Sequence, residues 1–176
     1  MGKRSDFKKR KNDAYYTPIE AVFPLVSHLP QENFVYAEPC AGDGRLLNHI
    51  STLTKSRAQP SIVTDIDPQS PNVTHMDALD VKLTKDTDIV ITNPPWTRQL
   101  LHPMIEHFAH QAPTWFLFDA DWMHTKQAIP YLEYCRKIVS IGRVKWIEES
   151  TGSGKDNSCW YLFDANSIGG TFFYGR

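Results

Sequence analysis

Asn93-Pro94-Pro95-Trp96 stands directly after the apolar run Asp88-Ile89-Val90-Ile91-Thr92. A carboxamide oxygen accepts hydrogen bonds, and proline leaves its own carbonyl without a competing N–H on the same residue. Two acceptors beside a flat indole suit a planar amino group. Such a nitrogen is a poor nucleophile, because its lone pair is delocalised into the ring it is attached to. Holding both of its hydrogens lets it pyramidalise toward an electrophile, and close approach supplies much of the acceleration. Stacking on Trp96 adds roughly 1–3 kcal/mol per base. No strong base is needed if the proton leaves after bond formation, so the motif needs no histidine or cysteine. Taken alone, the four residues read equally as a rigid turn ending a buried strand.

A second group lies upstream. Glu38-Pro39-Cys40-Ala41-Gly42-Asp43-Gly44 follows the short apolar run Phe34 to Ala37. Glycine has no β-carbon, so backbone at Gly42 and Gly44 can approach a ligand closely. The dinucleotide fingerprint requires a third glycine three residues on, where this chain has Leu47. The pattern therefore favours a ligand without a pyrophosphate. Asp65 follows the run Ser61 to Thr64, and its carboxylate can accept both hydroxyls of a ribose. Asp77 follows Val73 to Met76 and can accept from a base amino group. Singly, Glu38, Asp65 and Asp77 read as caps or turn residues, as Asp43 and Asp67 do.

The elements that must position these groups alternate. Thr17-Pro18 reads as a helix N-cap and first-turn proline, followed by Ile19, Val22, Phe23, Val26 and Leu29 at helical spacing. Pro24 should kink or shorten that helix. Strands are expected at 34–37, 61–64, 73–76, 88–92 and 115–118, with helices from Arg45 to about Leu53 and from Leu100 to His110. A further helix is expected over 126–134 despite Pro130. The last forty residues change character, with strands expected at 138–141, 144–147 and 160–163, a turn at Gly142 and a polar loop over 148–158. Alternating units with a strand-rich end predict an open, mostly parallel sheet with an antiparallel hairpin at its edge. In such a sheet ligands bind beyond the carboxyl ends of the strands, which is where Glu38, Asp65, Asp77 and Asn93 fall.

Together, in this order and about fifty residues apart, the two motifs resemble those of S-adenosylmethionine-dependent amino methyltransferases of the N6-adenine type. The resemblance covers most of residues 15–120. It implies an α/β, Rossmann-like open sheet, mostly parallel and seven-stranded, with helices on both faces and an antiparallel C-terminal hairpin. It implies S-adenosylmethionine as cofactor, held by Tyr16, Thr17, Pro18, Glu38, Pro39, Cys40, Ala41, Gly42, Gly44, Asp65, Ile66, Asp77, Ala78 and Asn93. Glu38 is expected near the methionine ammonium, Asp65 on the ribose, and Tyr15-Tyr16-Thr17-Pro18 over the methionine end. Asn93, Pro94, Pro95 and Trp96 are the expected catalytic group. The implied reaction is methyl transfer to N6 of adenine in nucleic acid, with DNA favoured and RNA open. A protein glutamine methyltransferase uses the same chemistry on a side-chain amide and is the second reading. A non-catalytic binding module is the third. The family's usual ring after the prolines is Tyr or Phe, so Trp96 is a departure.

The chain of 176 residues is sized for one domain. Its net charge of −1 hides an asymmetry. Residues 1–11 carry Lys3, Arg4, Lys8, Lys9, Arg10 and Lys11 against Asp6, a net +5, and the remainder is −6. A flexible basic arm over 1–14 on a methyltransferase domain over 15–176 could reach for phosphates, or could simply aid solubility. Lys8, Lys9, Arg10, Lys11, Arg143, Lys145 and Trp146 are the expected substrate-side residues. No separate target-recognition domain is expected within 15–176, which would leave recognition to the arm, to loop 148–158, or to a partner protein or second copy. Three scattered cysteines fit a reducing cytoplasm and lack zinc spacing. No metal is expected, because His102, His107 and His110 lack a credible third ligand elsewhere. Gly152-Ser153-Gly154-Lys155 lacks the spacing and hydroxyl of a phosphate loop. No membrane span or signal peptide is expected. A compact genome such as a virus's would suit so short a chain, placing it in the host cytoplasm.

Overall fold

The computed structural model describes residues 15–147, 154 and 156–175. Eight strands form one sheet in the order β3-β2-β1-β4-β5-β7-β6-β8. They are β1 Phe34–Glu38, β2 Ala58–Asp65, β3 Thr74–His75, β4 Ile89–Thr92, β5 Thr114–Asp119, β6 Cys135–Arg143, β7 Asn157–Phe163 and β8 Phe172–Tyr174. β7 runs antiparallel to both β5 and β6, and every other pair is parallel. The expected open parallel sheet with an antiparallel C-terminal hairpin is therefore the observed one. It has eight strands rather than seven, because the short edge strand β8 closes the far side.

Both faces of the sheet are covered. Along β4, β5 and β7 successive side chains alternate between two cores, as the period of two requires. Ile89, Ile91, Trp115, Leu117 and Trp160 enter one core with Val22, Leu25, Leu46 and Ile50. Val90, Phe116, Phe118, Tyr161 and Phe163 enter the other with Leu101, Met104, Ile105 and Phe108. The first helical layer is α1 Ile19–Val22 and α2 Arg45–Leu53; the second is α3 Arg98–Ala109. α3 buries Leu101, Met104, Ile105 and Phe108, the i, i+3, i+4, i+7 stripe of an amphipathic helix. Trp160 and Tyr161, both fully buried, are core residues as expected.

Three expected elements differ. The helix expected from Pro18 stops at Val22 and continues as a 3-10 turn over Phe23–His28, because Pro24 removes a backbone donor. Pro18, not Thr17, occupies the N-cap position, and Thr17 makes no capping bond. The helix expected over 126–134 is a 3-10 turn, Lys126–Ala128, followed by α4 Ile129–Leu132, with Pro130 in the first turn. The strand expected over 144–147 does not form. Gly142 takes a positive φ of 74°, the ladder with β7 shifts register there, and pairing ends at Arg143 opposite Asn157. Past that point the Val144 carbonyl still accepts from the Gly154 N–H at 2.8 Å.

Candidate active site

The carboxyl ends of β1, β2 and β4 and the segment after β3 surround a cavity of about 500 Å³. That volume is in the range of small-molecule sites. Of the residues expected to hold the cofactor, Tyr16, Thr17, Glu38, Pro39, Cys40, Ala41, Gly42, Asp65, Ile66, Asp77, Ala78 and Asn93 line it, and Pro95 of the expected catalytic group joins them. Pro18, Gly44, Pro94 and Trp96 are not part of the lining. Gly44 serves the turn instead. It is the N-cap of α2 at φ 81°, and its N–H donates to the Ala41 carbonyl at 2.7 Å.

The glycine turn is tied to the neighbouring strand by one carboxylate. Asp65 Oδ2 accepts from the Gly42 N–H and Oδ1 from the Asp67 N–H, both at 2.7 Å. Each oxygen keeps a lone pair for a further donor. Gly42 sits at φ 52°, where a side chain is strained, and a β-carbon there would stand 3.5 Å from the Tyr16 ring. At the third strand end Asp77 Oδ1 caps the Leu79 N–H at 2.9 Å. Its other oxygen is not used in that bond. Ile66, Leu79 and Leu100 line the same cavity and are 51%, 43% and 49% exposed. Apolar side chains left in water around a polar-floored cavity supply flat contact for a ring system.

The cavity is acidic. Glu38, Asp43, Asp65, Asp67 and Asp77 line it against a single cation among the lining residues, Arg45. Arg45 meets Asp43 at 3.4 Å and lies 5.1 Å from the Tyr16 ring centre. Glu38 is only 1% exposed, and its Oε2 has no hydrogen-bond partner. Burial, then the Asp65 and Asp43 charges, push its pKa well above the ordinary carboxylate range. A buried carboxylate oxygen without a donor, at the floor of an acidic cavity, fits a cationic ligand. Burial likewise raises the Cys40 thiol, which keeps it protonated and unreactive.

Asn93 closes the cavity at the end of β4. Its amide nitrogen donates to the Tyr15 carbonyl at 2.9 Å and to the Thr17 hydroxyl at 3.1 Å. Its oxygen accepts from the Trp96 indole N–H at 3.3 Å. Both nitrogen hydrogens are therefore engaged, and the carboxamide can present only its oxygen to a substrate. Trp96 in turn meets Trp146 edge to face, with ring centres 5.5 Å apart and planes at 88°. Of the three expected substrate-side residues near the hairpin, Trp146 thus reaches the motif, while Arg143 ends β6 and Lys145 is exposed beyond it. Lys8, Lys9, Arg10 and Lys11 lie outside the described residues, as do 148–153 and 155 in the expected loop.

Sequence reasoning missed Leu46, Gln69, Leu79, Leu100 and Met104 in the lining, and left Arg45 without a site role. Helical periodicity placed Met104 in the core, and no local pattern marks Leu79 or Leu100 as cavity walls. Among the described residues no helix is long and apolar enough to cross a membrane, and no cluster of three or more His, Cys, Asp or Glu is arranged to hold a metal ion.

No protein-family model and no curated protein sequence matches the chain. Solved structures do match its fold. The methyltransferase subunit of a type I restriction-modification system from Streptococcus thermophilus superposes with a TM-score of 0.62 at 10% identity, over 92% of this chain and 47% of that one. The 23S rRNA methyltransferase ErmE gives 0.57 at 10% identity, over 89% and 73%. A dimethyladenosine transferase from Plasmodium falciparum gives 0.55 at 16% identity, over 86% and 62%. This chain spans about half the length of the restriction-modification subunit. At such identities the likeness is one of fold.

Proposed function

We propose that this protein transfers a methyl group from S-adenosylmethionine to the exocyclic N6 of adenine in nucleic acid, with DNA the favoured substrate. One observation carries the reading. Asn93 shares a single acidic cavity with Glu38, Asp65 and Asp77, and its carboxamide is fixed with the oxygen as its only remaining hydrogen-bonding atom. The solved methyltransferases with this fold include proteins named for restriction-modification, for 23S rRNA and for dimethyladenosine, which supports a nucleic-acid substrate.

The lining fits the cofactor group by group. Glu38, with its unpartnered oxygen, would take the ammonium of the methionine tail. Asp65 would take the ribose diol with the lone pairs left by its two backbone bonds. Asp77 would accept from the adenine amino group, with Ile66 and Leu79 against the ring faces. The excess of carboxylates suits a ligand with a positive sulfur and no phosphate. Bound there, S-adenosylmethionine supplies an electrophilic methyl carbon. The protein's part is to present the nucleophile. The Asn93 oxygen and the Pro94 carbonyl accept the two hydrogens of the target amine and draw its nitrogen out of conjugation. As the new N–C bond forms, the methyl–sulfur bond would break and its electron pair stay on sulfur as a neutral thioether; the methylated nitrogen is then cationic and acidic, so its proton can pass to water without a strong base. In a duplex the adenine must first be extruded from the stack.

The test is transfer of tritiated methyl to unmethylated DNA and to transcribed RNA, followed by digestion and identification of the labelled nucleoside. Label on N6-methyladenine is expected. Label on glutamine of a protein substrate, or none on either nucleic acid beside clean cofactor binding, overturns the proposal.

A further inference from the structure

A second depression opens on the other side of α3. It is a trough of about 880 Å³ between the first two turns of that helix and the segment leading into α4. Arg98, Gln99 and His102 form one wall, and Lys126, Gln127 and Tyr131 the other. A single helix separates it from the reaction site. Leu100 and Met104 of α3 line the deep cavity, while the neighbouring stripe, Gln99, His102 and Pro103, lines the trough. Arg98 stands two residues after Trp96.

The trough's chemistry differs from its surroundings. Its lining holds Arg98 and Lys126 and no carboxylate, on a body whose net charge outside the basic arm is −6. Arg98 Nη1 donates to the Gln127 side-chain oxygen at 2.6 Å, which ties one wall to the other. The Trp122 indole N–H donates to His102 Nε2 at 3.0 Å. An indole nitrogen can only donate, so His102 is neutral at that atom and carries its proton on Nδ1. Burial and the Arg98 charge lower the His102 pKa and keep it so. The His102 and Tyr131 rings lie 4.5 Å apart with planes at 35°. Two cations, two carboxamides and a paired ring surface are the groups that grip a sugar-phosphate backbone and a flanking base. Nearby acids exist, since the Arg98 charge is felt at Asp119, but Asp119 is not part of the lining.

We propose that this trough holds the nucleic-acid strand beside the target nucleotide, with Arg98 and Lys126 on phosphates and the carboxamides and rings against sugar and base. The proposal rests on the nucleic-acid reading above and specifies where the strand lies. It places strand binding on the methyltransferase domain itself, without an added recognition domain.

The experiment is a salt titration of DNA affinity for the full chain and for the Arg98→Gln/Lys126→Gln double variant, with Lys82→Gln/Lys85→Gln as control. The control pair is exposed and lies on the segment before β4 that meets the far, C-terminal end of α3, where the Leu83 N–H donates to the Gln111 side-chain oxygen at 3.0 Å. Cofactor affinity is measured for every protein. The double variant should lose at least tenfold in DNA affinity at 0.1 M salt. Its log–log slope should be shallower by about 1.4 on single strands or 1.8 on duplex, the value for two lost phosphate contacts. Cofactor affinity should be unchanged, and the control should match the parent. A double variant that methylates DNA and keeps the parental slope overturns the trough and leaves the proposed function standing. A parent chain that neither binds nor methylates nucleic acid overturns both. Should the double variant lose cofactor affinity as well, Lys126→Gln alone is read, with half the slope change expected and an unchanged slope overturning the proposal.

Discussion

Replacing Glu38 by glutamine should make the empty protein less sensitive to pH and its cofactor complex weaker. In the folded chain Glu38 is held protonated by burial and by Asp65 and Asp43 to a pH at which the unfolded chain has already released that proton. Rising pH therefore pulls the equilibrium toward unfolding across the interval between the ordinary carboxylate pKa and the folded one. The slope for one group is at most just over ~1 kcal/mol per pH unit. For a domain of this size that is a fall of at most roughly 3–5 °C in melting temperature per unit. Glu38→Gln removes the titration, so its melting temperature should stay flatter from pH 5 to 8. Binding moves the other way. A buried hydrogen bond to a charged group is worth about 1.5–3 kcal/mol, so S-adenosylhomocysteine, which keeps the ammonium, should bind the variant roughly 10- to 150-fold more weakly. Methylthioadenosine lacks the amino-acid tail and should bind both proteins alike. Calorimetry with the two ligands and thermal melts across pH supply the readings. Equal loss for both ligands, or no loss for either, refutes the ammonium assignment.

Three further outcomes follow from the same geometry. Trp96→Phe keeps an aromatic face and removes the N–H that holds the Asn93 oxygen, so kcat should fall about 2- to 12-fold, the value of one neutral hydrogen bond, with KM for DNA unchanged; parental kcat would refute a role beyond stacking. Asn93→Ala should reduce methyl transfer by more than a hundredfold while cofactor affinity, measured by calorimetry, changes little, since the lining carboxylates all remain. Deleting residues 1–11 should weaken DNA binding and flatten its salt dependence through the loss of a net +5, whereas an unchanged slope would remove the arm from the interface.

Much of this architecture could be read from residue types. The apolar runs before Glu38, Asp65 and Asn93 announce strands, and in a parallel sheet strand ends share one edge, so the acidic lining followed from order alone. What could not be read depends on partners distant in sequence. Thr17 looks like a helix cap, yet its hydroxyl serves Asn93, seventy-six residues away. The run 144–147 has strand composition, but the partner strand ends opposite Arg143, and composition does not report register. β8 is three exposed residues, Phe172–Tyr174, paired on one side only, too short for any periodic signal. The trough was invisible for the same reason: Arg98 and Lys126 become neighbours only when α3 and the segment after β5 pack together.

The bonds from Asn93 to Tyr15 and Thr17 set a hard limit on how the molecule can be trimmed or tagged. A truncation that begins at Pro18 would spare every strand and helix and still leave the carboxamide held by the Trp96 indole alone, with its amide hydrogens unanchored. Such a fragment should melt as a folded protein and look sound by every bulk criterion while turning over poorly. Expression boundaries drawn from secondary structure alone would cut in that place, so a failed assay on a shortened chain should be blamed first on its start point.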